Sequence, residues 1–282
     1  MKLPNSLEIH EFTDVVWAYF NAHRREMPWR SEPTPYHVLV SELMLQQTQV
    51  GRVLPKYEAF MRRFPDIETL ASASLADVLS LWNGLGYNRR AKFLHESAQQ
   101  IMREYSGTIP QTEAELVALP GIGKNTAGAI LAYAFSQPVV FVETNIRTVF
   151  FHHFFAGHDS VDDKEVADMV ELTLDREHPR EWYWALMDYG THLKSTVGGA
   201  LARSRHYVKQ SAFEGSRRQL RGEIIRRFVA GAFDLSDIVD ERLESVIDDL
   251  VKEAFIERVG GQLRLRSAPV AAIITSDENT HR

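Results

Sequence analysis

"LPGIGKNTAGAI", residues 119–130, sets two glycines on either side of one apolar residue and then runs into small residues that pack closely in a helix. Gly121 and Gly123 permit backbone angles that a Cβ disfavours, so the chain can turn tightly and bring its N–H groups against a ligand. A helix beginning near Lys124 would aim its unpaired N–H groups and the positive end of its dipole at the same place, which suits a phosphate. A bare Gly-x-Gly usually does no more than turn the chain, so the weight rests on the whole string.

Outward from this turn, helical periodicity runs from residue 9 to about residue 230, as in "FTDVVWAYFNAHR", "PYHVLVSELMLQQTQV" and "YNRRAKFLHESAQQIMREY". Short Gly- and Pro-bearing turns such as "GLGY" and "SGTIP" separate the helices, and no alternating strand pattern precedes residue 255. The main body is therefore predicted all-α. After it, "RRQLRGEIIRRFVAGAF" and "ERLESVIDDLVKEAF" read as two amphipathic helices, and "IERVGGQLRLR" as two short strands joined by Gly260-Gly261. The expected division is a helical core over 1–211, a winged-helix-like domain over 212–267 and a loose tail over 268–282.

Composition narrows the function classes. The chain has no cysteine, which excludes disulfides, thiolate metal sites and cysteine nucleophiles. No stretch approaches the roughly 18 uninterrupted apolar residues of a membrane span, and "MKLPNSLEIHEF" lacks the apolar core of a secretory signal, so a cytosolic, non-membrane protein is expected. The net charge of −6 hides a basic island between Lys194 and Arg227, opposed within that stretch only by Glu214 and Glu223. A solvated helix face and a nucleic-acid contact are both open readings of it. His152 and His153 diverge on a helix and lack partners at ligand spacing, so they are expected to pack, and no catalytic metal is predicted.

Six strings in order, "MPWR", "SELMLQQTQV", "LWNGLGY", "LPGIGKNTAGA", "ETNIR" and "WALMDYG", span about residues 11–193. Together they resemble the helix-hairpin-helix DNA glycosylases related to endonuclease III, and among them the MutY-type adenine DNA glycosylases. The resemblance implies two helical lobes with a cleft between them, and excision of a base flipped out of double-stranded DNA at a mispair or lesion. It makes Glu42 the general acid, since an apolar setting would keep its proton near neutral pH. Glu143, with Asn145 beside it, would face the cationic sugar. Asn125 stands where bifunctional members carry a lysine nucleophile, which implies a water-using, monofunctional enzyme. Arg25, Met27, Trp29 and Trp184 would line the base pocket. Gln47 and Tyr87 would wedge into the DNA stack, Gln46 would also contact DNA, and Gly121, Gly123, Lys124 and Asn125 would hold a strand.

Four departures bear on what the resemblance implies. The four places that usually hold an iron-sulfur cluster align with Lys194, Leu201, Ser204 and Gln210, so no cofactor is predicted, and Arg203, Arg205, His206 and Lys209 would touch the DNA backbone directly. Glu143 replaces an aspartate; a catalytic carboxylate and a helix cap are both open for it. Trp184 replaces an amide or carboxylate that reads adenine, leaving one donor and no acceptor. Finally, the stretch after residue 212 is too short for the usual opposite-base domain, and Arg217, Arg218 and Arg221 there are expected to add phosphate affinity. The expected protein is a clusterless, monomeric adenine or purine DNA glycosylase. A glycosylase for uracil, mismatched thymine or hypoxanthine, and a non-enzymatic lesion-sensing or architectural DNA binder, are the alternatives.

Overall fold

The computed structural model describes residues 4–156, 158, 160–197 and 213–266. One lobe holds α3 (Pro35–Leu45), α4 (Val50–Arg63), α5 (Ile67–Ser72), α6 (Leu75–Trp82), α7 (Arg89–Tyr105) and α8 (Glu113–Val117). The other joins α1 (Ser6–His23) to α10 (Thr144–His153), α11 (Asp163–Thr173) and α12 (Pro179–Thr196). The short α2 (Pro28–Ser31) leads into α3, and α9 (Lys124–Phe135) lies between the lobes, touching α3 and α12.

The sequence explains these elements locally. Asn5 and Glu8 form a reciprocal capping box that starts α1, and Thr34 accepts from the His37 N–H with Pro35 as the first residue of α3. Helix α3 buries seven of its eleven residues on several sides, which is the signature of a central helix. Its single carboxylate, Glu42, is thus carried into the middle of the molecule. In the second lobe Trp182 of α12 is fully buried against Phe12 and Trp17 of α1, with ring centroids 6.0 and 5.7 Å away, and docks the N-terminal helix on the rest of the lobe.

One close approach fixes the lobe's geometry at the cleft. A Cβ on Gly190 of α12 would lie 2.3 Å from the Asn145 carbonyl oxygen, so only glycine lets α12 press against the first turn of α10.

Beyond residue 213 the chain forms α13 (Arg217–Val229), α14 (Leu243–Lys252) and an antiparallel hairpin of β1 (Ile256–Val259) and β2 (Gln262–Leu265). Val259 pairs with Gln262, and Gly260 and Gly261 both take positive φ, 57° and 81°, as a tight two-residue turn demands. Helix α13 docks on α6, placing this small unit beside the first lobe.

Candidate active site

A cleft of about 1070 Å3 opens between the lobes. Glu42 reaches it from α3; Val38 and Leu45, on the same helical face, line it too. Glu143 and Asn145 reach it from the opposite wall, where the chain enters α10. Glu143 occupies the N-cap position of α10 but its side chain caps nothing, so of its two sequence readings the helix-cap role is not realised. Its carboxyl faces the cleft instead.

The two carboxyls titrate abnormally. Burial, and then the charge of Glu143, raise Glu42 well above the ordinary carboxylate range, while Arg30 pulls weakly in the other direction. Burial pushes Glu143 up to about 7. Both carboxyls at this one cavity therefore hold their protons to higher pH than an exposed glutamate does.

Arg25, Met27, Trp29 and Trp184 all line the cleft. Behind them lies an ion cluster that sequence reasoning missed. Asp188, whose side chain is 1% exposed, accepts a bidentate pair of hydrogen bonds from Arg30 at 2.8 and 2.9 Å and a third from Arg25 Nε at 2.7 Å. Trp184, one helical turn earlier on α12, has the Arg30 and Arg24 guanidiniums 5.4 and 5.6 Å from its ring and Tyr133 stacked 6.3 Å away. The indole is held as a rigid wall. Tyr133, also unforeseen, lines the cleft and feels the charge of both glutamates.

The hairpin is built partly as expected. Gly121 takes φ 77°, and a Cβ there would meet Phe93 at 2.7 Å. Gly123 does not use the left-handed region: it is the extended N-cap of α9, with open space where a Cβ would stand, so its value is to leave the helix's N–H groups uncovered. Lys124 is exposed. Asn125 lines the cleft and its Oδ1 accepts from the Val142 N–H at 3.4 Å, tying the hairpin helix to the segment that delivers Glu143. Gln46 turns inward, donating to the Gly121 carbonyl at 3.3 Å and to Thr126 Oγ1 at 3.2 Å. It braces the hairpin, while Gln47 lies at the exposed rim.

Gln47 and Tyr87 both have left-handed backbones, φ 57° and 49°, an uncommon state outside glycine. Buried Arg90 holds both turns. It donates to the carbonyls of Leu43, Met44 and Gln46 at 3.0, 2.8 and 2.5 Å and, with its other Nη, to Thr48 Oγ1 and the Gly86 carbonyl, each at 3.0 Å. Burial lowers its proton affinity to about 10, so it stays charged at neutral pH. In the sequence it looks like one more basic residue of "YNRRAK".

The basic island resolves differently from its charge count. Arg217 pairs with Asp249 at 2.6 Å and Arg221 with Glu253 at 2.7 Å, so these two guanidiniums clamp α13 to α14 rather than standing as free phosphate ligands. The acids that balance them lie outside the stretch where the bases cluster. Arg218 instead reaches the core, donating to the Tyr87 hydroxyl at 3.0 Å. Arg203, Arg205, His206 and Lys209 lie outside the described residues. So do three of the four cluster-aligned positions; with no cysteine in the chain, the donor set does not fit an iron-sulfur cluster. His153 packs on Phe12 and lies 3.1 Å from the Tyr189 hydroxyl.

Comparison with known proteins converges on this architecture. The model of the HhH-GPD superfamily of base excision DNA repair proteins matches residues 40–173. An adenine DNA glycosylase of Mycobacterium tuberculosis is 42% identical over 179 residues, 61% of this chain and 58% of that protein. One of Buchnera aphidicola is 36% identical over 182 residues, 63% of this chain and 51% of that protein. The chain thus spans between half and three-fifths of the length of these curated relatives. A solved thermostable thymine-DNA glycosylase superposes with a TM-score of 0.58 at 24% identity, over 65% of this chain and 86% of its own, and shares the fold. The cleft, the hairpin and the helices that carry both glutamates fall in or beside residues 40–173, the segment that matches the HhH-GPD superfamily model of base excision DNA repair proteins, in a chain whose sequence similarity is to adenine DNA glycosylases.

Proposed function

We propose that this chain is a monofunctional DNA glycosylase that hydrolyses the bond between deoxyribose and a flipped adenine or related purine in a mispaired or damaged duplex, and that it works without an iron-sulfur cluster. The observation that carries this reading is the pair of raised carboxyls facing one cavity. Glu42 donates its proton to a ring nitrogen of the base, and the electrons of the breaking C1′–N bond go to that base. Glu143, ionised, lies against the cationic sugar that remains. Water adds at C1′ and gives a proton to the Glu42 carboxylate, which restores the acid. Asn125 offers no amine for attack on the sugar, so no Schiff base forms and the strand stays whole. Gln47 and Tyr87, braced by Arg90, stand where a stack would be opened, and the hairpin offers main-chain N–H groups to one strand. The relatives' names, adenine DNA glycosylase, support adenine as the base.

The test is base release from a panel of duplexes, each holding one defined mispair or lesion, by the wild type and Glu42→Gln. Wild type should release adenine, and the variant should lose at least about a hundredfold in single-turnover rate while binding the same duplex. Retained excision in Glu42→Gln refutes the mechanism. One observation favours a second substrate reading: Trp184, walled in by Arg24 and Arg30, presents no acceptor to an adenine amino group. Preferential release of hypoxanthine, uracil or mismatched thymine from the same panel would select it.

A further inference from the structure

The small C-terminal unit holds the Tyr87 turn at two points. Arg218, in the first turn of α13, donates from Nη1 to the Tyr87 hydroxyl at 3.0 Å, with its guanidinium carbon 6.0 Å from the ring centroid. Glu253, just past α14, accepts from Arg221 at 2.7 Å and lies 3.6 Å from Arg89, two residues after Tyr87. Beneath the ring sits Arg90, 5.5 Å from its centroid and hydrogen-bonded to the Gly86 carbonyl. Tyr87 is 37% exposed on a turn with a left-handed backbone, a place where a tyrosine ring would otherwise sample several rotamers. Two cations and a hydrogen bond restrain that ring. The docking of α13 on α6 delivers Arg218 to that spot from a separate unit, 131 residues away in sequence.

We propose that Arg218 is a positioning residue for base extrusion: through its hydrogen bond it fixes the Tyr87 ring before DNA arrives, so that the small C-terminal unit sets how readily a base leaves the stack. The inference rests on the reading of this chain as a base-extruding glycosylase. A ring already held in its working orientation loses less freedom on insertion, and the gain falls on the opening step rather than on bond cleavage. The effect therefore belongs to targets that start stacked.

The test uses the full chain in the Glu42→Gln background, so that no bond is broken, and a duplex carrying 2-aminopurine beside the target base, whose fluorescence rises as the stack opens. At saturating protein, Arg218→Ala should slow that rise by roughly 2- to 10-fold, the cost of leaving one rotamer-rich side chain unheld. Arg218→Lys, which can still donate to the hydroxyl, should recover part of the rate. Tyr87→Phe should slow the rise as Arg218→Ala does, and the double variant should be no slower than either single one. The melting temperature of each variant checks that the fold is intact. Unchanged opening rates in Arg218→Ala, or additive losses in the double variant, would overturn the proposal. So would a variant that opens the stack normally once bound but binds with lower affinity and a shallower salt dependence, which would make Arg218 a phosphate ligand. A wild-type chain that opens the stack and releases no base from any duplex would refute the proposed function and leave Arg218 in its positioning role.

Discussion

Replacing Glu143 by glutamine should make the protein more stable at alkaline pH and should flatten its dependence on pH. The folded chain holds the Glu143 proton up to about pH 7, whereas the ordinary carboxyl value is 4.5. Folding therefore takes up a proton between those two values, and the sign follows: stability is highest below about pH 4.5, falls as pH rises through the window, and levels off above about pH 7. At about 1.4 kcal/mol for each pH unit, the ionised carboxylate costs the folded state roughly 3 kcal/mol at pH 8. Glu143 faces an open cleft, where solvent screening reduces the cost to ~1–3 kcal/mol. Glutamine has nearly the same shape and does not titrate. Urea unfolding at pH 5 and pH 8, followed by tryptophan fluorescence, should show the wild type losing ~1–2 kcal/mol more than Glu143→Gln between the two conditions. Both proteins keep Glu42 and every other titrating group, so the difference isolates Glu143 and its repulsion of Glu42. Parallel stabilities at the two pH values would show that Glu143 titrates as an exposed carboxyl, and the division of labour between the glutamates would fall with it.

Other outcomes follow from the same geometry. The single-turnover excision rate should be bell-shaped in pH, falling below about pH 7 as Glu143 gains its proton and falling on the alkaline side as Glu42 loses the one it donates; a rate that climbs steadily with pH would exclude Glu42 as the acid. Gly190→Ala would force α12 away from the Asn145 carbonyl, costing about 1–3 kcal/mol in urea unfolding and, because displacements near 1 Å at the sugar are costly, on the order of a hundredfold in excision rate. Arg90→Met should cost roughly 2–4 kcal/mol by leaving the carbonyls of α3's last turn and of Gly86 unpaired, and amide exchange should rise in both the Gln46–Thr48 and Leu85–Tyr87 segments; a rise in one segment alone would refute the shared clamp.

What could be read in the sequence and what could not divide along contact range. Helix α3, the hairpin around Gly121 and the turn at Gly260-Gly261 are local: their apolar spacing, their glycines and their caps act over a few residues, and the structure repeats them. Glu42 and Glu143 were legible because each stands in a string long enough to carry a resemblance. That they share one cavity is a product of tertiary folding. The Arg30–Asp188 pair joins residues 158 positions apart, and neither residue's neighbours announce the other. Arg217 and Arg221 misled for the same reason: counting charges along the chain missed Asp249 and Glu253, each 32 residues further on, which the fold brings back against them. Gly123 misled differently, since a glycine can be kept for its missing bulk as well as for its backbone freedom.

Arg90 ties two separate stretches of chain to a single ion. Backbones riveted in this way cannot drift apart one at a time, so on the proposed function the turns that carry Gln47 and Tyr87 would act like the arms of a caliper set at one gap. A scanning protein with such arms would gauge each step of a duplex against a constant width, and a weakly stacked pair would betray itself by yielding to a tool that does not yield.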